Sequence, residues 1–384
     1  MIEYMPRMSQ RIIKDTDRKN SLTSVAIEII EMEKVVPVDI EIDNSIRAKV
    51  TDICGMTCNF CHNEGTPVNS LQANKGRVSI FEDTNDVTFK PGIMLPNSLF
   101  QTTLETLIDV FEVSELHWTG GEPTTHQDLA LMTKIARDLG LKVRMTSNGE
   151  TGGKNLNKLV EAGLESINFS IFGITAEEIV QVQGLKNQDI KKAAVKLMKL
   201  DESIKTASSL GIRTKANIVM KNESDSSRIK KVINKYSPLG VEVRILPDIS
   251  DGISSLISIY NLLGELGAVP EKIKVTAGSS NFLISYILPN GKRIGFKQIR
   301  NSRFPDVCDP CEYNTEDDCK EGYYGIRFYI DTDNKYYVGV CLQRMNLTVP
   351  LDEFVTGLLP KAIIKFRQDD FKALQNQFEK KKSL

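Results

Sequence analysis

The chain reads as an α/β protein: a partial (β/α)6 TIM-like barrel followed by a smaller C-terminal module of β-hairpins and a helix. Three observations predict this. From about residue 46, short β-rich runs alternate six times with longer amphipathic stretches, which demands parallel strands with helices outside. The segments richest in glycine and cysteine, at 54–61, Gly120-Gly121-Glu122-Pro123 and Asn148-Gly149, each follow the C-terminal end of a predicted strand, where barrels gather their active sites. A dinucleotide-binding sheet would instead carry GxGxxG after its first strand, and none is present there. After about residue 270 the rhythm changes to hairpins.

Residues 25–30 and 36–42 are candidate strands preceding the barrel. The barrel proper begins with a strand over 47–53 and a helix over 97–113, with Asn97 or Ser98 available as its N-cap. Strand 116–119, helix 127–139, strand 142–147, helix 154–162 and strand 166–171 follow. A long helix ending near Leu210 leads to strand 214–220, helix 226–236, strand 241–246 and helix 254–266. Residues 281–287 and 293–298 form a hairpin through Asn290-Gly291, a favoured two-residue turn. A second hairpin, 325–330 and 335–340, turns at Asp331-Thr332-Asp333-Asn334. Residues 351–378 are helical and end in a charged tail. The expected division is an extension over 1–45, a barrel over 46–270, an auxiliary module over 271–350 and a terminal helix over 351–384.

At 384 residues, 41% hydrophobic and 26% charged, the chain has the composition of an ordinary globular protein. Its 49 basic and 50 acidic residues give a net charge of −1, so no global field draws it to nucleic acid or to a membrane. No run approaches the roughly 18 apolar residues of a membrane span, and no signal peptide follows Met1. A cytoplasmic protein is expected.

The seven cysteines fall into two groups. Cys54, Cys58 and Cys61 have CxxxCxxC spacing, so three thiolates on one loop can each hold one iron of a cubane cluster. No fourth cysteine lies nearby, which leaves one iron open to a non-protein ligand. A structural zinc loop is the alternative, but such sites usually pair CxxC units and close with four ligands. His62 is the sole local candidate for a fourth, and adjacency to Cys61 hinders its reaching the same metal. The second group, Cys308, Cys311, Cys319 and Cys341, supplies the four thiolates of a closed cluster. In a reducing compartment, clustered cysteines are metal ligands more often than disulfides.

With CxxxCxxC after the first barrel strand and Gly-Gly-Glu-Pro after the second, the chain resembles the radical S-adenosylmethionine (radical SAM) superfamily over about residues 46–250. The resemblance implies a 4Fe–4S cluster on the three cysteines. Its open iron is chelated by S-adenosylmethionine, which one electron cleaves to methionine and a hydrogen-abstracting 5′-deoxyadenosyl radical. It implies that Gly120, Gly121 and Glu122 receive the methionine amino group, that Ser147 and Asn148 contact ribose or carboxylate, and that Phe60 stacks near adenine. Asn168, Ser170 and Asn217 alternate inward along their strands and fit a lumen in contact with cofactor. Their other reading is satisfied core polarity. His62 and His126 lie on active-face loops, where a histidine can move a substrate proton or simply cap a helix.

A closer resemblance is to the GTP 3′,8-cyclases. It rests on the run 46–54, Met145-Thr146-Ser147-Asn148-Gly149, Asn217-Ile218-Val219-Met220, Val243-Arg244-Ile245, Cys308-Asp309-Pro310-Cys311 and the run 325–331. It implies a second 4Fe–4S cluster in a SPASM/Twitch-type module, and arginines that grip substrate phosphates. Arg47, Arg244 and Arg327 fall on matching positions, and guanidinium forks suit phosphate or carboxylate oxygens. The chain departs from those cyclases where Cys319 adds a fourth thiolate, Gly325 replaces an arginine, His62-Asn63-Glu64 follows the third cysteine, and the terminal Gly-Gly is absent. The reading is a radical SAM enzyme on a small molecule, nucleotide or sugar, with a reducing partner such as flavodoxin or ferredoxin. A peptide-modifying radical SAM enzyme is the alternative, and a plain electron carrier is disfavoured because a carrier needs no cofactor pocket.

Overall fold

The computed structural model describes residues 36–56, 58, 66–67, 92–183, 189–249, 252–300, 302–315, 319, 321–341, 344 and 347–380. The candidate strand over 25–30 lies outside the described residues. The strands are β1 (Val38–Ile42), β2 (Ser45–Lys49), β3 (Ile53–Cys54), β4 (Thr66–Pro67), β5 (Glu115–Thr119), β6 (Lys142–Ser147), β7 (Leu164–Ser170) and β8 (Arg213–Met220). They continue as β9 (Glu242–Pro247), β10 (Val269–Ala277), β11 (Asn281–Ile287), β12 (Arg293–Ile299), β13 (Ile326–Ile330), β14 (Tyr336–Gly339) and β15 (Val349–Pro350). The helices are α1 (Ser98–Phe111), α2 (Leu129–Asp138), α3 (Leu156–Ala162), α4 (Ala176–Gln181), α5 (Ile190–Ser209), α6 (Ser226–Tyr236), α7 (Gly252–Glu265), α8 (Pro305–Cys308), α9 (Leu351–Thr356) and α10 (Leu359–Lys380).

Strands β2, β5, β6, β7, β8 and β9 lie side by side in chain order, all parallel, with a helical crossover after each. This is the predicted partial (β/α)6 barrel. It does not close on itself, because β13 pairs in parallel with β2 at one end and β12 in parallel with β9 at the other. The antiparallel strands β10–β11–β12 and β13–β14–β15 thus extend a single thirteen-stranded sheet in both directions.

Each crossover helix forms because one stripe of it is apolar. Helix α1 starts at Asn97, whose side chain accepts from the Phe100 N–H at 3.0 Å, and buries Phe100, Leu104, Leu107 and Phe111 at helical spacing. Each such side chain contributes about 1.5–3 kcal/mol by leaving water. Strand β7 shows the complementary logic: Ile167 and Phe169 are fully buried against helices, while Asn168 and Ser170 point to the opposite face. The Asn290-Gly291 turn joins β11 to β12, with Gly291 at φ +78°.

Two expectations are corrected, one is refined and one strand is new. The strand over 47–53 stops at Lys49, because the chain then turns to make the β3–β4 ladder. The long helix expected to end near Leu210 is α5, which runs to Ser209 with Leu210 as its C-cap and follows the short helix α4. The terminal helix is broken at Gly357 into α9 and α10. Strand β10 was not anticipated; Pro270 and the bulge between Pro270 and Lys272 interrupt its alternation.

Candidate active site

The loop that carries the first cysteines is fixed by its neighbours. Fully buried Lys49 pairs with Asp52, whose other carboxylate oxygen accepts from Gly92 N–H at 2.6 Å. The loop after β5 docks onto it: Gly121 N–H donates to the Thr51 carbonyl at 2.8 Å and Glu122 N–H to the Ile53 carbonyl at 2.7 Å. A Cβ at Gly121 would stand 2.2 Å from the Ile53 oxygen, and Gly120 sits at φ +136°, so the glycine pair is what permits this approach. The close contact is to the cluster loop itself.

Cys54 and Cys58 follow, walled on one side by Met56, Ile179, Ala193 and Phe172. Met56 N–H and the Asn148 amide both donate to Cys54 Sγ, at 3.4 and 3.5 Å. Burial, then the Glu150 carboxylate and the Cys58 thiol, hold the Cys54 thiol well above its ordinary pKa. Two thiols against an apolar wall, with Cys54 accepting two N–H donors, fit a thiolate-bound cluster. Cys61, Phe60 and His62 lie outside the described residues.

The next shell joins Glu122 to the end of β6. Glu122 Oε1 accepts from Thr124 N–H (3.1 Å), Thr124 Oγ1 (2.6 Å) and Ser147 Oγ (2.7 Å), and Oε2 accepts from Asn148 N–H (2.6 Å). Burial outweighs these donors and pushes its pKa up to about 7. Asn148 Oδ1 accepts from Glu150 N–H, and the Glu150 carboxylate takes Gly55 N–H in both oxygens, at 3.0 and 2.9 Å. Glu150 was not anticipated, although it sits two residues past a predicted site residue. His126 is structural: its Nε2 donates to the Met94 carbonyl at 2.8 Å and its Nδ1 accepts from Asp128 N–H.

Below this face the barrel lumen is lined by cations. Register places Arg327, Arg47, His117 and Arg144 in one row across β13, β2, β5 and β6. A second row joins Ser170, Asn217 and Arg244 across β7, β8 and β9, and there Gly295 lies beside Arg244. A Cβ at Gly295 would meet Arg244 Cγ at 2.8 Å, so the missing side chain makes room for the guanidinium. Arg244 Nη2 donates to Asn168 Oδ1 at 2.9 Å, while its buried Nε and the Asn217 Oδ1 have no hydrogen-bond partner.

Three further cationic or aromatic groups join them. Tyr324 has the Arg47 guanidinium 5.3 Å and the Lys297 ammonium 4.9 Å from its ring centroid. Lys215 is buried on β8, and burial followed by Arg244 draws its pKa down to about 7. Burial draws Arg327 down to about 10 and Lys297 well below its usual value. His117 shares a 2.8 Å hydrogen bond with Thr146 Oγ1, and burial followed by Arg47 keeps its imidazole neutral. Strand register thus sets Arg327 beside Arg47 and lines up Ser170, Asn217 and Arg244, with Asn168 bonded to Arg244. Lys215, Lys297, His117 and Tyr324 were missed, because no motif marks them and only strand register brings them there.

The four later cysteines come together. Cys308 at the end of α8, Cys311, Cys319 and Cys341 line one cavity with Arg303, Tyr313, Tyr323 and Arg344. The six described cysteines are thiols, with no disulfide among them. No three His, Cys, Asp or Glu side chains among the described residues are placed to hold a single metal ion. Four thiols lining one shared space are a donor set that suits a thiolate-bound metal centre. Among the described residues, no helix is long and apolar enough to cross a membrane.

Residues 48–235 match the Radical SAM superfamily. A probable GTP 3′,8-cyclase from Metallosphaera sedula is 27% identical over 253 residues, 64% of this chain and 69% of the relative. A GTP 3′,8-cyclase from Aquifex aeolicus is 27% identical over 206 residues, 52% of this chain and 55% of the relative. Among solved structures, Streptococcus suis SuiB bound to S-adenosylmethionine superposes with a TM-score of 0.51 at 12% identity, covering 90% of this chain and 72% of that one. That likeness shows the partial-barrel fold.

Proposed function

We propose, from the premise that the chain is a radical SAM enzyme with its superfamily domain over residues 48–235, that it acts on a small anionic molecule held in the barrel lumen. When bound, S-adenosylmethionine and a 4Fe–4S cluster on Cys54, Cys58 and Cys61 supply the hydrogen-abstracting radical. Glu122, Ser147 and Asn148 orient the cofactor end, and Asn168, Ser170 and Asn217 line the passage below it. Asn217 Oδ1, a buried acceptor without a partner, is a ready contact for a cofactor or substrate hydroxyl. His117 is the neutral imidazole facing this space and His62 the candidate on the loop; either can take a substrate proton. Cys308, Cys311, Cys319 and Cys341 hold an auxiliary cluster in the 271–350 module, which four thiolates close to substrate.

One observation carries the substrate class. Buried Lys215, Arg244 and Arg327 and half-buried Arg47 and Lys297 crowd one region, and the carboxylates that act on Lys215 and Lys297 there are Glu242 and Glu321. Buried like charges repel and lose hydration, so the arrangement is stabilised by an incoming anion. A phosphate-bearing molecule agrees with relatives named for a guanosine nucleotide. Gly325 (φ +88°), a position where the resemblance to the cyclases implies an arginine, backs directly onto Asp43, and a Cβ there would meet its carboxylate at 2.6 Å. Guanosine triphosphate itself is therefore not the substrate we favour.

The reducing partner we propose is an acidic one-electron carrier of the flavodoxin or ferredoxin kind. Beside Gly55 and Glu150 lies an open cleft lined by Lys154, Lys191, Lys192, Lys196 and Lys199, which complements an acidic surface at the cluster loop.

The test is an anaerobic 5′-deoxyadenosine assay against panels of phosphorylated, carboxylated and uncharged small molecules and of peptides. Phosphorylated or carboxylated compounds should stimulate turnover, and Arg244→Gln should raise KM about tenfold or more, the loss of one charged hydrogen bond of about 1.5–3 kcal/mol. Stimulation by peptides alone would refute the anionic small-molecule reading.

A further inference from the structure

We propose that Arg303 and Arg344 set the reduction potential of the auxiliary cluster, making it the more easily reduced of the two. The inference rests on the reading that Cys308, Cys311, Cys319 and Cys341 ligate that cluster. Arg303 Nη1 donates to Cys319 Sγ at 3.0 Å, and its Nη2 is bonded to the Cys319 carbonyl, so the guanidinium fork clamps one cysteine at two atoms. Arg344 donates its backbone N–H to Cys341 Sγ at 3.4 Å, and its Nη1 reaches Cys311 Sγ at 3.8 Å and Glu312 at 3.4 Å. Its guanidinium lies 5.2 Å from the Tyr313 ring centroid, which holds it at the cavity wall. Three of the four thiols thus accept an N–H, two of them from a cation.

The first site is built differently. The two N–H groups bonded to Cys54 Sγ, from Met56 and the Asn148 amide, are neutral, and the nearby carboxylate of Glu150 accepts the N–H of the next residue, Gly55, in both oxygens. Lys196, one of the five lysines of the adjoining cleft, acts on Cys54 and Cys58 from a flexible side chain. Adding an electron to a thiolate-bound cluster adds one negative charge. Guanidinium groups bonded to the ligand sulfurs stabilise that charge, and carboxylates oppose it. The same chain therefore holds a strongly reducing site and a more readily reduced one. Arg303 and Arg344 act through the cysteines, as positioning residues.

The experiment is a redox titration of the anaerobically reconstituted full chain, followed by electron paramagnetic resonance. It uses the wild type, Arg303→Gln, Arg303→Lys and Arg344→Gln, each first assayed for iron and sulfide. Wild type should carry about eight irons per chain. The auxiliary reduction equilibrium should fall about tenfold in Arg303→Gln, equal to about 59 mV for one electron. Arg344→Gln should shift it in the same direction, Arg303→Lys should shift it less, and the first cluster should not move. An unchanged auxiliary midpoint in both glutamine variants with full iron overturns the inference, as does loss of auxiliary iron from both, which would make the arginines structural. Wild type with about four irons refutes the two-cluster reading instead, and is seen before any variant is made.

Discussion

At the scale of single residues, the site is a set of buried charges whose energetics have readable consequences. Glu122 shows this: burial raises its carboxyl from 4.5 to about 7 in the folded chain. A raised carboxyl contributes stability that is fully present below the unfolded value and is lost as pH rises through the folded one. Wild-type apoprotein should therefore lose up to roughly 3 kcal/mol relative to Glu122→Gln between about pH 4.5 and pH 8. Paired denaturant titrations of the two proteins at pH 5 and pH 8 measure that difference, and a pH-independent difference would contradict the burial argument. Arg244 is the converse case, a buried cation with an unpartnered Nε. Arg244→Met should leave the melting temperature unchanged or higher while substrate-stimulated 5′-deoxyadenosine formation falls, because removing a strained charge relieves the apo fold. A melting temperature lowered by many degrees would show that Arg244 is a structural tie.

At the scale of elements, the parallel βα units were legible because strands buried on both faces and helices buried on one stripe leave different periods. Strand 142–147 and helix 226–236 were placed to the residue. What was not legible depends on contacts distant in sequence. Strand β10 is a strand because β1 and β11 flank it, despite Pro270. Lys215 and Lys297 resemble ordinary surface lysines until register carries them inward beside Arg244 and Tyr324. The Gly-Gly-Glu-Pro segment was recognised by motif, but its work at this scale is to seat one loop on another. Gly121→Ala would force the Ile53 carbonyl aside. It should destabilise the chain by about 1–3 kcal/mol, typical of overpacking. It should also lower iron at the first cluster while sparing the auxiliary one. Iron content beside circular dichroism reads both effects, and full iron at both sites would contradict the docking role of Gly121.

At the scale of the whole molecule, one thirteen-stranded sheet frames a cationic lumen, with one cysteine site on the segment after β2 and the other on the segments that flank the β13–β14 hairpin. The lysine cleft opens beside Gly55, Thr124 and Glu150, next to the first cysteine site. Lys191→Glu with Lys192→Glu should lower the rate driven by an acidic carrier relative to that driven by dithionite. That ratio should also be steeply salt-dependent in the wild type. Stopped-flow reduction at two ionic strengths measures it, and equal slowing with both reductants would contradict docking at the cleft. The central claim, that this is a radical SAM enzyme, is tested most directly by one assay. The anaerobically reconstituted chain is incubated with S-adenosylmethionine and dithionite, and 5′-deoxyadenosine is quantified. The account predicts its formation in the wild type and none in Cys54→Ala, Cys58→Ala or Cys61→Ala. No 5′-deoxyadenosine from wild type with iron and sulfide for both clusters, in the presence of the anionic panel, would contradict it.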